Sequence, residues 1–341
     1  LAIALLASLN VAIAPHAKAA AACNVTGITS GNKVYYYFTT VGVCEWTRPA
    51  GVTSAEYLLV GGGGGGGGGR GGGGGGGGVL TGTWNSLNEY SAFNIWVGAG
   101  GTGSNSTQRG GSGGWSAIVP PDSGVPGLYL WAGGGGGGGS GNTDPSIQYG
   151  ANAPATTYGT INQIQGSGGG SGFNFAISPT RYWGLGGTGA TNGGNSYLCT
   201  EAVSDHNLYR STGGGGGAGA NGSGFGSAGT SLPSQCYFYQ SVFGTSYNLG
   251  FVGNSNGGAG KTNTLIQNII QLNTTVFPIT SYYGNPAALG GGGGGSDGRG
   301  ANETGYTALG AGAGGDGGGG TGEIIQSGYA NYLSAGKTNT G

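Results

Sequence analysis

Large apolar side chains alternate with small ones at the start of the chain. Residues 1–14 have the sequence LAIALLASLNVAIA, and the large side chains of its alternating face are Leu1, Ile3, Leu5, Leu9, Val11 and Ile13. A period of two predicts a β-strand with one apolar face. Leu1, Leu5, Leu9 and Ile13 also have the i, i+4 spacing of a helix, so both structures remain open for this segment.

Two functions fit this N-terminal segment, which we delimit as residues 1–22. It is too short to span a bilayer. Together with His16, Ala17, Lys18 and Ala19, it has the hydrophobic region and cleavage site of a secretory signal peptide. If it is retained, an apolar strand ahead of Pro15 is suited to insertion into a neighbouring subunit. A contact of that kind that does not close builds a filament, so the six alternating residues are candidate assembly contacts.

Short apolar and aromatic segments follow along the chain and predict further strands. Their β-branched and aromatic content is typical of strands. The segments are 33–41, 56–60, 95–97, 128–131 and, near the C-terminus, one that contains Ile324 and Ile325. Helical spacing of Leu265, Ile266, Ile269 and Ile270 predicts one short α-helix at about 262–274. The pattern therefore predicts an all-β chain with at most one short helix.

Several of the predicted strands lead into runs of glycine. Residues 61–78 are seventeen glycines and Arg70, and further runs occupy 133–139, 168–170, 213–217, 290–295 and 317–320. Glycine has no side chain to bury, and ordering it costs more backbone entropy than ordering any other residue. An extended helix with three residues per turn has no internal hydrogen bonds, so its N–H and C=O groups need neighbouring segments. We therefore expect a bundle of polyglycine-II helices.

Flexible, low-complexity chain is the alternative interpretation of these runs. The chain has 91 glycines and 11 prolines among 341 residues, a content typical of disordered segments. Collagen is excluded, because glycine is not confined to every third position and proline is scarce. Disordered chains lack apolar strands at the start of each run, and this difference favours an ordered bundle.

Charge is scarce and balanced. The chain has ten Lys and Arg residues and eleven Asp and Glu residues, and charged residues make up 6% of it. No basic surface for nucleic acid is expected, and no segment is long and apolar enough to span a membrane. So low a charge suits a protein that packs against copies of itself.

Cysteines and sequons favour an oxidising, extracellular compartment. Four cysteines allow three pairings, and none lies in a CxxC metal motif. We predict two local disulfides, Cys23–Cys44 and Cys199–Cys236. Five candidate glycosylation sites have the Asn-Xaa-Ser/Thr pattern: Asn24, Asn105, Asn221, Asn273 and Asn302.

Residue types for catalysis are sparse. The chain has only two histidines, and its residue pattern contains no credible Ser-His-Asp triad or multi-histidine metal site. We therefore predict that the protein is not an enzyme and binds no metal or cofactor. Residues 255–262 come nearest to a phosphate-binding loop. Ser255 stands there in place of the first glycine, and we find no acidic partner for magnesium.

Several of these motifs together resemble the glycine-rich domains of secreted microbial proteins and phage tail proteins. The motifs are Trp46 to Thr53, Glu56 to Val60 with the polyglycine that follows, Trp96 to Gly101, Gly110 to Ser116, Leu130 to Gly133, and Gly322 to Ile325. The organisation is also similar to the glycine-rich domain of the anaplastic lymphoma kinase and leukocyte tyrosine kinase receptors. Over residues 45–327, the resemblance implies a β-sandwich or jelly-roll-like framework around a polyglycine-II bundle.

This organisation favours extracellular structural work. We expect residues 23–341 to form a single glycine-rich domain with insertions at about 140–289, and copies of the chain to polymerise through the N-terminal strand. The alternative is a cell-surface or tail-fibre adhesin whose insertion loops bind a glycan or receptor. Its 19 Tyr and 6 Trp residues provide rings for sugar stacking as well as for subunit contacts.

Overall fold

The computed structural model describes about half of the chain. The described residues are 20–25, 27–68, 71–104, 108–120, 130–141, 144–154, 163–172, 183–184, 186–193, 196–199, 209–211, 214–217, 257–262, 264–265, 267–268 and 288–294. The six candidate assembly residues at positions 1 to 13 and the predicted C-terminal strand lie outside these ranges. Within them, no helix is long and apolar enough to cross a membrane.

Strands dominate the described part, which confirms the predicted all-β class. They are β1 (Ile28–Ser30), β2 (Lys33–Tyr35), β3 (Gly42–Thr47), β4 (Ala55–Val60), β5 (Val79–Trp84), β6 (Ala92–Val97), β7 (Ser116–Val119), β8 (Leu130–Ala132), β9 (Gln163–Ile164), β10 (Trp183–Gly184), β11 (Ser196–Cys199) and β12 (Tyr209–Ser211). A 3₁₀ turn spans Leu87–Glu89, and a one-turn helix, α1, spans Pro145–Gln148.

The largest sheet has five strands in the order β3-β6-β7-β8-β9. Its pairs are antiparallel except β8 with β9, which is parallel. Residues 21–23 lie along the free edge of β3, where Ala22 forms a parallel bridge with Glu45. Three smaller sheets are β1-β2, β4-β5 and β10-β11-β12.

The β4-β5 hairpin packs face to face on the five-stranded sheet. Leu59 of the hairpin and Leu130 and Ala132 of the sheet form one buried cluster, with Tyr57 and Leu80 beside it. Phe93 is the centre of a second cluster and is fully buried. Alternation along β4, β6 and β8 places these side chains on one face of each strand, so the apolar pattern of the sequence positions the two layers.

The predicted strand at 33–41 is wrong beyond Tyr35. The rings of Tyr36 and Phe38 pack on Trp46, with centroid separations of 5.3 Å and 6.0 Å. The next strand begins at Gly42, whose φ of 123° is a conformation that side chains rarely adopt. Aromatic content therefore marked residues that pack on a sheet without joining its ladder.

The one-turn helix α1 and the 3₁₀ turn at Leu87–Glu89 lie where no helix was predicted. The side chain of Asp144 accepts a hydrogen bond of 2.8 Å from the Ser146 N–H, and the Asp144 carbonyl accepts one from Gln148. Asp at the N-cap followed by Pro145 is a sequence signal for this helix, α1. In the predicted helix 262–274, residues 264, 265, 267 and 268 are helical, and 269–274 lie outside the described residues.

Candidate functional site in the packed glycine segments

Glycine-rich segments continue the strands beyond one end of the five-stranded sheet. We name six of them: A (61–68), B (71–78), C (98–104), D (108–115), E (133–140) and F (165–172). A follows β4, B precedes β5, C follows β6, D precedes β7, E follows β8 and F follows β9. The pairing directions of the strands place all of these junctions at the same end. The six segments and their shorter neighbours are the glycine array.

Backbone hydrogen bonds in the array repeat every third residue. In segment A, the N–H groups of residues 61, 64 and 67 donate to segment B, with N···O distances of 2.7–3.0 Å. The N–H groups of residues 62, 65 and 68 donate instead to segment D, at 2.8–3.2 Å. Successive residues thus face different neighbours, whereas a β-strand alternates between two directions.

The pairing of the strands continues into the array. Val60 pairs with Val79 at the end of the β4-β5 hairpin, and in the same register Gly61, Gly64 and Gly67 bond Gly78, Gly75 and Gly72. The β6-β7 register continues in the same way with Gly114 on Ala99 and Gly111 on Thr102. Strand side chains therefore fix which glycines meet, although the glycines themselves are identical.

Segment E lies inside the array. Residues 132–140 are all buried. The segment donates hydrogen bonds to A and F and accepts them from B and D, and Gly137 accepts one from Ala151. Five neighbours surround it, so the interior of this region is backbone.

A side chain has no room at these positions. A Cβ atom on any residue from 134 to 139 would lie under 3.0 Å from a backbone oxygen, a distance that real Cβ atoms essentially never show. The blocking oxygens also repeat every third residue: those of D oppose 134 and 137, those of B oppose 135 and 138, and those of 148–151 oppose 136 and 139. At Gly66 and Gly100, which are exposed, the nearest atom lies 3.8 Å and 3.9 Å away.

Part of the predicted insertion region belongs to the array. Segment F lies within residues 140–289, and residues 166–172 are buried. Gly170 and Ser167 donate to Gly73 and Gly76 of segment B. The signal for this role is Gly166 to Gly172, a Gly/Ser run that directly follows a short apolar segment, as in the other cases.

A few polar side chains bind backbone groups at the border of the array. The Ser116 hydroxyl accepts from the Gly98 N–H and donates to the Val60 carbonyl, at 3.0 Å and 2.8 Å. Lys261 Nζ donates to the Val79 carbonyl at 3.2 Å, and its backbone bridges to Leu289. The lysine of the phosphate-loop candidate is therefore engaged in packing.

Electrostatic features are peripheral. Lys33 and Glu56 form an exposed ion pair at 2.5 Å, and the hydrogen bond that Lys33 donates to the Glu56 carboxylate raises the pKa of Lys33. Burial lowers the pKa of Arg109, while the Asp144 carboxylate acts in the opposite direction. No three His, Cys, Asp or Glu residues of the described ranges are grouped as a metal ion requires. The arrangement is suited to holding backbone segments together.

One predicted disulfide is present and anchors the N-terminal segment to the sheet. Cys23 and Cys44 are bonded, with their Cα atoms 4.8 Å apart. Cys199 ends β11, and Cys236 lies outside the described residues. Asn24 is exposed, as a glycosylation site must be. The other sequons, at Asn105, Asn221, Asn273 and Asn302, lie outside the described ranges.

A stack of three tryptophans covers the outer face of the five-stranded sheet. Trp115 lies between Trp96 and Trp131, with ring centroids 4.9 Å and 4.0 Å away. Trp96 pairs with Val43 on one side and with Ala117 on the other. The sequence alone does not group these three tryptophans, because their contact depends on the order of the strands.

Comparisons with known proteins give one match. The model of a family described as a glycine-rich domain matches residues 39–231. That range includes segments A to F and strands β3 to β12. No curated protein and no solved structure matches the chain.

Proposed function

The chain belongs to the glycine-rich domain family, and on that premise we propose that it is a non-enzymatic structural subunit of an extracellular filament or surface appendage. The observation that carries this proposal is the burial of segment E among five backbone neighbours. Backbone packed without side chains contains no group for acid–base or nucleophilic chemistry.

The glycine segments form a bundle of polyglycine-II helices in this proposal. Support comes from the three-residue period of both the hydrogen bonds and the blocked Cβ directions. At about 3.1 Å per residue, the eight residues of segment A would span about 25 Å. The bundle then extends the framework by roughly that length beyond the end of the sheet.

Copies assemble through the apolar N-terminal segment. Residues 21–23 pair with β3, and the Cys23–Cys44 disulfide links that pairing covalently. Tension on residues 1–19 would thus pass into the five-stranded sheet. From there it reaches the array through continuous strands, such as β6 into C and β8 into E. A disulfide also fits the oxidising conditions outside cells.

Electron microscopy of the purified full-length protein tests the assembly. We expect filaments from the unmodified chain and none from a variant with Leu5→Lys and Leu9→Lys. A matched control, Ser8→Lys with Asn10→Lys, adds the same charge to the opposite face of the predicted strand and should leave the filaments intact. If both variants polymerise like the unmodified chain, or if the unmodified chain stays monomeric, the proposal fails.

Removal of the disulfide by mutation provides a second test. Because Cys23–Cys44 connects the N-terminal segment to the sheet, a Cys23→Ser, Cys44→Ser variant should form filaments that break at lower shear. Filament length after controlled shearing measures this effect. Equal filament lengths for the variant and the unmodified protein would mean that the disulfide does not transmit load.

A further inference from the structure

The outer face of the five-stranded sheet carries an apolar strip that is open to solvent. The strip consists of Val43, Trp96, Trp115 and Trp131, of which Val43 and Trp96 remain 38% and 37% exposed. Val41, two residues before Val43, is 61% exposed. Solvent-exposed apolar groups clustered in this way are typical of interaction sites.

The N-terminal segment emerges beside this strip. Ala22 bridges to Glu45 in parallel, and the Glu45 N–H donates to the Ala21 carbonyl at 2.8 Å. Two residues further toward the N-terminus, the same register brings Ala20 next to Val43. Neighbouring strands lie about 4.8 Å apart, so residues 1–19 are attached within one strand spacing of the strip.

Direction and length favour an occupant from another copy. From Cys23 back to Ala20, the chain runs parallel to β3 toward Gly42, which pairs with Val97 at the end of the sheet where the glycine array begins. Thirteen residues in an extended conformation would span about 43 Å, which exceeds the roughly 25 Å of an eight-residue glycine segment. A segment that kept this direction would reach past the array and meet a second molecule.

We propose that this strip is the acceptor surface for the apolar N-terminal segment of a neighbouring copy; the inference rests on the proposed filament function and names its docking site. The alternating face from Leu1 to Ile13 would cover the indole rings and remove both apolar surfaces from water. The donor segment and the strip are different surfaces of one chain, so the contact is heterologous and open-ended.

Photo-cross-linking in the full-length protein tests this docking. Leu9 is replaced by benzoyl-phenylalanine, and isotopically light and heavy chains are mixed before assembly, so that peptides linked between copies carry both labels. We expect mixed-label links from position 9 to the peptides containing Val43, Trp96 or Trp131. The same cross-linker at Asn10, on the opposite face, should give few of these links. Links within one copy, or links to other surfaces, would overturn the inference.

A charged substitution in the strip provides a second test of the docking site. Trp96→Lys should raise the critical concentration for polymerisation by about tenfold or more, the equivalent of about 1.4 kcal/mol. Thr47→Lys is the control, because Thr47 is exposed on the same face away from the strip. Thr47→Lys should melt like the unmodified protein, and Trp96→Lys, which loses the ring contact with Trp115, is assayed at a temperature well below its own melting transition. Polymerisation unaffected by Trp96→Lys would overturn the docking site but leave the filament function standing.

The filament function can also fail separately. If the unmodified chain forms only closed pairs, mixed-label links from position 9 to the strip would support the docking site and reject the filament. A monomer with no links between copies would overturn both. Binding of added soluble glycan to Trp96, with no links from position 9, would assign the strip to a sugar and overturn the inference.

Discussion

Phe93 and glycine segment E are both buried, but side chains surround the first and backbone surrounds the second. Phe93 contacts the rings of Trp84, Tyr90 and Trp46, with centroid separations of 5.2–6.1 Å. Segment E contacts backbone atoms of five neighbours. One region excludes water with large side chains, and the other does so by allowing backbones to approach closely.

This difference reverses the usual sensitivity to mutation. In the Phe93 cluster the harmful change is from large to small, because it leaves a cavity. In segment E the harmful change is from small to large, because the obstructing atoms are backbone oxygens that cannot rotate away. The net contribution of each hydrogen bond is only about 0.5–1.5 kcal/mol, and ordered glycine is entropically costly. The array therefore depends on the strands that hold its segments in register.

The largest expected effect is that of Gly136→Val in the centre of segment E. A Cβ at this position meets the Ala151 carbonyl oxygen at a distance real Cβ atoms essentially never show, so neighbouring segments must separate. We expect a loss of more than about 4 kcal/mol in the free energy of unfolding, measured by urea titration. Gly66 is exposed, and a Cβ there would lie 3.8 Å from the nearest atom, the Gly72 carbonyl oxygen, so Gly66→Val should change the free energy of unfolding by less than about 0.5 kcal/mol. Similar values for the two variants would contradict the comparison.

Phe93→Ala tests the other side of the comparison. Removing a fully buried ring should cost about 3–5 kcal/mol, because the transfer free energy is lost and a cavity is left. Val34→Ala, at a position 52% exposed, is the control and should cost less than about 0.5 kcal/mol. A small loss for Phe93→Ala would mean that the sheet is held mainly by the glycine array.

Adjacent glycines of segment C differ in the room that they leave for a single methyl group. Gly101→Ala would bring a Cβ against the Gly111 carbonyl oxygen and should destabilise by about 1–3 kcal/mol. Its neighbour Gly100 is exposed and has no atom nearer than 3.9 Å, so Gly100→Ala should stabilise by about 0.4–1 kcal/mol through the unfolded chain. The melting temperatures should therefore shift in opposite directions, and a shift in the same direction would argue against three-residue packing.

The smallest expected effect concerns alkaline pH and Tyr57, which lies between the hairpin and the sheet. Burial raises the pKa of Tyr57 above its ordinary value of 10.0, because the apolar surroundings disfavour the phenolate. The resulting stabilisation is complete below pH 10 and is lost as the pH rises through the folded-state pKa. Tyr57→Phe should flatten the fall in unfolding free energy above pH 10. If the slope of unfolding free energy against pH is unchanged in Tyr57→Phe, Tyr57 does not contribute to this pH dependence.

Much of the framework could be predicted from side-chain patterns. Strands β4 and β6 follow from their apolar and aromatic residues, and the Cys23–Cys44 disulfide from local pairing. The strand predicted at 33–41 extended too far because the rings of Tyr36 and Phe38 satisfy packing on Trp46 instead of a ladder. A residue's β-propensity describes how well its side chain suits a pleated surface. Tertiary packing, and not propensity, determined the conformation of Tyr36 and Phe38.

The neighbours within the array could not be predicted from the glycine runs themselves. Identical residues without side chains carry no information about which segment pairs with which. That information lies outside the runs, in pairs such as Val60 with Val79 and Ser116 with Ala132, whose register the glycines continue. The contacts within the strip could not be predicted either, because Trp131 meets Trp115 only when β8 lies beside β7.

Amide hydrogen exchange, resolved by NMR, tests the central claim that glycine backbone forms a packed core. The N–H groups of Gly135, Gly136, Gly138 and Gly139 all donate within the array. We predict that they exchange as slowly as the amides of strand β6, while the exposed Gly66 exchanges much faster. Exchange of the four segment-E amides at random-coil rates, with β6 still protected, would contradict the account.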